Sequence, residues 1–276
     1  VQLLASGKIA KMKTMLTSPV SYSLPVGDGI VDMNALIGKT ITLVFNGAIN
    51  CLYCGKKTKK SYSQGYCYPC MKKLARCDNC IMSPEKCHFS AGTCREPEWG
   101  EKNCMIDHVV YLANSSGIKV GITRHSQIPT RWIDQGAVQA LPIFRVSTRL
   151  LSGLVEVVFK QHIADKTDWR KMLRNDAVDI DLSFERDRLF ADTQKELSEI
   201  ETQYGINAVQ KIANGDLVTV EYPVLEYPTK ISSLSFDKTP TISGTLMGIK
   251  GQYLLLDSGV LNLRKHTSYH VDIFTH

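Results

Sequence analysis

Apolar and polar residues alternate in short runs at both ends of the chain, and the spacing turns helical only in the middle. Gly7 to Met12, Val20 to Leu24 and Thr40 to Phe45 have the period of two expected of half-buried strands, split by Pro, Gly and Asp-Gly turns. The same period returns in Leu217 to Val220, Ile242 to Leu246, Tyr253 to Leu256 and Val260 to Leu263, punctuated by Pro223, Pro228, Gly248, Gly251 and Gly259. Neither flank has many strands alone. The expectation is therefore that segments 1–50 and 206–276 close one β-barrel together, with the chain ends near each other.

Between them, residues 105–205 predict a small mixed α/β core. His108 to Ala113 and Ile118 to Ile122 make a hairpin across Asn114-Ser115-Ser116-Gly117, four residues suited to a turn. Pro129 suits the first turn of a short helix through Asp134, which Gly136 stops. A strand at Ile143 to Ser147 and a helix over 152–163 follow. Residues 184–203, with Leu189, Phe190, Leu197 and Ile200 on one side and charges opposite, predict a single amphipathic helix. The fold class is α+β, with a cysteine-rich insert at 51–104.

That insert breaks both periodicities and holds all nine cysteines of the 276 residues. Cys51-x2-Cys54, then Cys67-x2-Cys70, is the spacing of two tight turns that each present two thiolates to one tetrahedral Zn2+. Cys77-x2-Cys80, Cys87, Cys94 and Cys104 follow, with His88 in reserve, so a second zinc is expected. Cys77, Cys80, Cys87 and either Cys94 or Cys104 are its leading ligands. An iron-sulfur cluster is the alternative, since thiolate spacing alone does not choose the metal. Four protein ligands leave no position for an activated water, so both ions are expected to be structural. No stretch resembles a signal peptide, although the chain opens on Val1 rather than on an initiator, and the odd cysteine count favours reduced thiols, so a cytoplasmic setting is expected. No apolar run is long enough to span a bilayer.

Charge changes the picture by its position. The net charge is +6, but Lys56, Lys57, Lys59, Lys60, Lys72, Lys73 and Arg76 crowd the first cysteine group, interleaved with Tyr53, Tyr62, Tyr66 and Tyr68. Cations that displace counterions beside rings that stack on bases predict a nucleic-acid surface, DNA or RNA.

Downstream, Val109-Val110-Tyr111, Lys119-Val120-Gly121-Ile122-Thr123, Arg131 and Glu156 occur in an order that resembles the GIY-YIG endonuclease core, in its phage-type branch. The resemblance implies that Tyr111 is the first-motif tyrosine and that Lys119 takes the place of the second. It further implies that Gly121 is the close-packing glycine, Arg131 the helix arginine and Glu156 the acid that binds a catalytic Mg2+. Val109 stands where the family has glycine. The whole chain is also similar to a bacterial family described as a domain of unknown function. The residue types suit phosphodiester hydrolysis: a phenol beside a cation to take a proton, a guanidinium fork for the phosphate, and a carboxylate for the metal. Arg124, beside His125 at a strand end, is a further phosphate contact. Trp132, Gln135, His162, Asp165 and Trp169 surround the site in sequence. The alternative is a non-catalytic RNA- or DNA-binding protein, associated with tRNA or the ribosome, in which the core is only a scaffold.

Overall fold

The computed structural model describes residues 1–163 and 167–276. The chain opens with strands β1 (Gln2–Lys8), β2 (Lys13–Met15), β3 (Ser21–Val26), β4 (Gly29–Asp32) and β5 (Thr40–Ile49). The cysteine-rich stretch holds two short helices, α1 (Tyr68–Lys73) and α2 (Pro97–Asn103). Next come β6 (His108–Asn114), β7 (Ile118–Arg124), α3 (Thr130–Asp134), β8 (Gln139–Val146), α4 (Arg149–Phe159), α5 (Trp169–Arg174), α6 (Leu182–Asp192) and α7 (Gln194–Tyr204). Strands β9 (Val209–Lys211), β10 (Val218–Thr219), β11 (Ser233–Leu234), β12 (Thr241–Lys250), β13 (Tyr253–Leu256), β14 (Gly259–Asn262) and β15 (Tyr269–Thr275) complete it.

The two flanks do share one sheet, in the order β1-β15-β5-β12-β13-β14-β11. Gln2 pairs with Thr275, so the chain ends meet. The expected barrel is not formed: among the described residues this sheet is open, with β1 and the two-residue β11 at its edges. A separate sheet, β2-β3-β4, supplies the reason. Its inward Tyr22, Leu24, Val26 and Val31 join Ile41, Leu43, Ile242, Ile249, Leu254 and Ile273 in one core. The apolar face is thus covered by a second layer, which removes the drive to curl closed.

The middle sheet runs β10-β8-β6-β7, with β9 also on β8. Both β9 and β10 lie in the stretch expected to belong to the C-terminal β segment, yet they pair with β8. Every residue of β6 is buried, as befits a central strand covered on both faces. Val110 and Leu112 face α4, α6 and α7 through Leu151, Val155, Phe159, Leu189 and Leu197. Tyr111 and Ala113 face Trp132 of α3.

The hairpin expected at Asn114 to Gly117 is present, with β6 and β7 in register from His108↔Arg124 to Asn114↔Ile118. The helix expected over 152–163 begins earlier, at Arg149, because the Thr148 hydroxyl accepts the Leu151 N–H at 3.3 Å and caps it. The single helix expected over 184–203 is two. Buried Thr193 separates them: its backbone leaves helical geometry at φ −110° and ψ 10°, while its N–H and its hydroxyl both donate to the Leu189 carbonyl, at 3.0 and 2.7 Å. Among the described residues no helix is long and apolar enough to cross a membrane.

Candidate functional site

The first cysteine group assembles as the spacing implies. The sulfurs of Cys51, Cys54, Cys67 and Cys70 all lie within 4.8 Å of one another. Cys54 and Cys67 are 3.7 Å apart, close to the ~3.8 Å that tetrahedral geometry gives two sulfurs bound to one zinc at ~2.3 Å. Burial alone would raise the Cys51 thiol, but the backbone N–H groups of Cys54, Cys67 and Tyr53 overcome it and bring the thiol down to about 6. Donors aimed at sulfur favour thiolate, the form that binds metal. The arrangement is compatible with a structural zinc site.

The remaining cysteines divide. Cys77 packs with Cys51, Cys67 and Cys70, whereas Cys80, Cys87, Cys94 and Cys104 line a separate chamber with His88 and Asp78.

The expected catalytic residues sit where β6, β7, α3 and α4 meet. Tyr111 of β6 lies opposite Gly121 of β7. A Cβ on Gly121 would fall 2.6 Å from the phenol oxygen, so only glycine leaves room for the ring. The Tyr111 hydroxyl donates to Gln135 Oε1 at 2.8 Å, and its ring meets Trp132 edge-on at 5.9 Å. Tyr111 is fully buried. Burial pushes its phenol up to about 12, against the opposing charge and hydrogen bond of Arg131, while Glu156 adds to the rise. Lys119, on the same face of the sheet, donates to Thr167 Oγ1 at 2.6 Å. Burial, reinforced by the nearby Arg131 charge, brings its amine down to about 8. Glu156 projects from α4, its carboxylate 3.3 Å from Lys160 Nζ. Arg131 thus lies within electrostatic reach of both Tyr111 and Lys119, and Glu156 within reach of Tyr111.

The flanking residues spread out. Arg124 is tied to Asn103 Oδ1, His125 and His162 are exposed, and Trp132 is core. Trp169 stacks on Tyr253 with ring centroids 6.1 Å apart. Asp165 lies outside the described residues. A cavity of about 690 Å³, lined by Ser18, Asn175, Glu221, Tyr222 and Tyr227 among others, contains none of the four expected catalytic residues.

Lys56, Lys57, Lys59, Lys60, Lys72, Lys73 and Arg76 are all exposed on the cysteine module. Lys60 lies over the Tyr62 ring at 5.6 Å and Arg76 over Trp99 at 5.8 Å. Tyr53 and Tyr68 are also exposed. Arg264, in the turn Leu263–His266, lies between this module and Arg131. Its Nε donates to Gln64 Oε1 at 2.5 Å, and burial together with the Arg131 charge lowers its pKa. No local signal marks Arg264; only the packing of the Leu263–His266 turn against the module brings it there.

Lys250 is the second buried amine. It donates to Asn175 Oδ1 at 2.6 Å between the rings of Tyr222 and Tyr227, and burial brings it, too, down to about 8. The unfolded lysines titrate near ~10.4, so between these values the unfolded chain binds more protons and stability rises with pH. From pH 7.5 to 9.5 each lysine is expected to contribute a gain of about 2 kcal/mol. Urea melts should show the gain in the wild type and lose it in the Lys119→Met, Lys250→Met double variant; parallel pH curves would rule the burial effect out.

A family model described as "Protein of unknown function (DUF2797)" matches residues 38–271. No curated protein and no solved structure matches the chain.

Proposed function

The chain belongs to the DUF2797 family, and from its own residues we propose that it is a zinc-containing nucleic-acid-binding protein that hydrolyses phosphodiester bonds with Mg2+, an endonuclease with a GIY-YIG-like core. The observation that carries this reading is the meeting of Tyr111, Lys119, Arg131 and Glu156 around one strand junction. The pairing of β6 with β7, and the Tyr111 ring seated on Gly121, also support it.

Glu156 is the one acid of the four, and a single carboxylate suits a Mg2+ that keeps most of its waters. Bound there, Mg2+ would neutralise charge on the phosphoryl group and lower the pKa of a coordinated water. Arg131 would hold the scissile phosphate with its planar fork. Sequence assigns proton acceptance to Tyr111, helped by Lys119. With the phenol held near 12 and the amine near 8, Lys119 is the better acceptor near neutral pH. It takes the proton of the attacking water as the new P–O bond forms and the leaving P–O bond breaks, while Tyr111 orients the water through its hydroxyl. Zinc at both cysteine groups belongs to this reading as structural metal, and the cationic module grips the polymer. Binding should weaken steeply with salt.

A second reading, a non-catalytic RNA- or DNA-binding protein, is favoured by one observation: Tyr111 is wholly buried with its hydroxyl already held by Gln135. The two separate in one experiment. Purified protein with Mg2+ or Mn2+ is expected to cut at least one of duplex DNA, branched DNA, single strands or tRNA. Salt-sensitive binding with no cutting of any of them would support the scaffold, and no binding at all would defeat both.

A further inference from the structure

Six side chains compete for the second metal, and their contacts separate them. His88 has both ring nitrogens engaged, Nδ1 with Thr93 Oγ1 at 2.8 Å and Nε2 with Asp78 Oδ2 at 3.4 Å. Asp78 is held in turn by Arg95 Nε at 2.7 Å, and its other oxygen accepts the Asn79 N–H at 2.6 Å. Asp78, Cys80 and His88 do place ligand atoms within 4.8 Å of one another, but Asp78 is committed to Arg95, and His88 to Asp78 and Thr93. Cys77 packs against the first centre. What remains is Cys80, Cys87, Cys94 and Cys104, which line one enclosed chamber of about 10 Å³, on the order of the space one water or ion needs.

Two further observations point to a metal there. A Cβ on Gly100 would meet the Phe89 ring at 2.8 Å and Cys94 Sγ at 3.3 Å, so this glycine leaves room for that ring and the Cys94 thiol. Beside the chamber, Arg149 Nε is buried without a hydrogen-bond partner among the described residues. Its other end donates to the Ile81 carbonyl at 2.7 Å, and its backbone N–H to the Cys104 carbonyl at 2.7 Å. Zn2+ with four thiolates carries a net charge of −2, and a buried guanidinium alongside is the counter-charge such a centre needs.

We infer that Cys80, Cys87, Cys94 and Cys104 form a second zinc centre, with Cys77 and His88 outside it, and that this centre seats α4. The seat is the turn at Pro84–Lys86, between Cys80 and Cys87, the first two thiols of this centre. Gly153 of α4 lies on it so closely that a Cβ would fall 2.4 Å from the Glu85 nitrogen. Glu156 is on the same helix. The inference rests on the proposed function only for the identity of the metal as zinc, and needs no cleavage.

Full-length protein is expected to hold two zinc ions per chain, with an X-ray absorption shell of sulfur alone at about 2.3 Å. Cys77→Ser and His88→Ala should keep both ions. Cys94→Ser should lose one and raise amide exchange across residues 149–159 by about tenfold or more, whereas Cys77→Ser leaves that exchange unchanged. Nitrogen in the shell, a wild type with one zinc or with iron, or zinc loss in Cys77→Ser would overturn the ligand set. Zinc loss without faster exchange at 149–159 would overturn the seating. Should Cys94→Ser fail to fold, the wild-type spectrum and the Cys77→Ser zinc count decide the ligand set, and exchange in chelator-treated wild type decides the seating. None of these readouts involves cleavage, so failure of the nuclease reading would be seen separately.

Discussion

Serine at Cys51 or Cys70 is expected to cost the protein one zinc ion and the order of residues 52–73, while the seven-stranded sheet survives. The module has little else to hold it. Its own core is Cys51, Cys67, Cys70 and Leu74, with Tyr66 and Cys77 packed against them. Three of its four buried members are thus candidate zinc ligands. Structural zinc contributes on the order of 10 kcal/mol to the folding of small metal modules, far more than one leucine can supply at about 2 kcal/mol. The sheet rests instead on a separate core that includes Tyr22, Leu43, Ile242, Leu254 and Val271, so the damage should be local. Limited proteolysis should show new cuts between residues 52 and 73 with a retained sheet fragment. An uncut module that has lost its zinc would show that the thiols are not its main support. Because the module carries the exposed lysines, the same variants should also bind nucleic acid more weakly, with a shallower salt dependence.

Glutamine at Glu156 is expected to lower cleavage by roughly a hundredfold or more while leaving binding within about twofold. The change keeps shape and removes the charge that would anchor Mg2+. The carboxylate is only 13% exposed and meets Lys160 one helical turn away at 3.3 Å, so the melting temperature is the control for its structural role. A fall in activity with an unchanged melting temperature would therefore report on chemistry. A fall in both would mean that Glu156 serves chiefly to hold α4.

Much of this architecture is legible in the sequence, and the exceptions have physical causes. The hairpin from His108 to Arg124 follows from two apolar runs around a turn-forming tetrapeptide. The first zinc quartet follows from paired Cys-x2-Cys spacings, a strictly local device. The joint sheet of the two flanks was foreshadowed by their shared period, but its openness was not. Whether a sheet closes depends on what covers its apolar face, and Tyr22, Leu24 and Val26 come from a third sheet whose strands read no differently. The break at Thr193 is equally hidden, since no local signal marks the departure of its backbone from helical geometry at φ −110° and ψ 10°. In the candidate site, residue types and order pointed to Tyr111, Lys119, Arg131 and Glu156. Their protonation preferences come from burial, which no spacing encodes. Arg264 and the partition of Cys77 from Cys80 are products of long-range packing.

The proposed activity is metal-dependent phosphodiester cleavage through Glu156. Single-turnover cleavage by the wild type and Glu156→Gln, titrated with Mg2+ at matched substrate binding, tests it most directly. Product is expected to rise with Mg2+ in the wild type and to stay near background in the variant. Equal product in both, or none in either while binding persists, would contradict it.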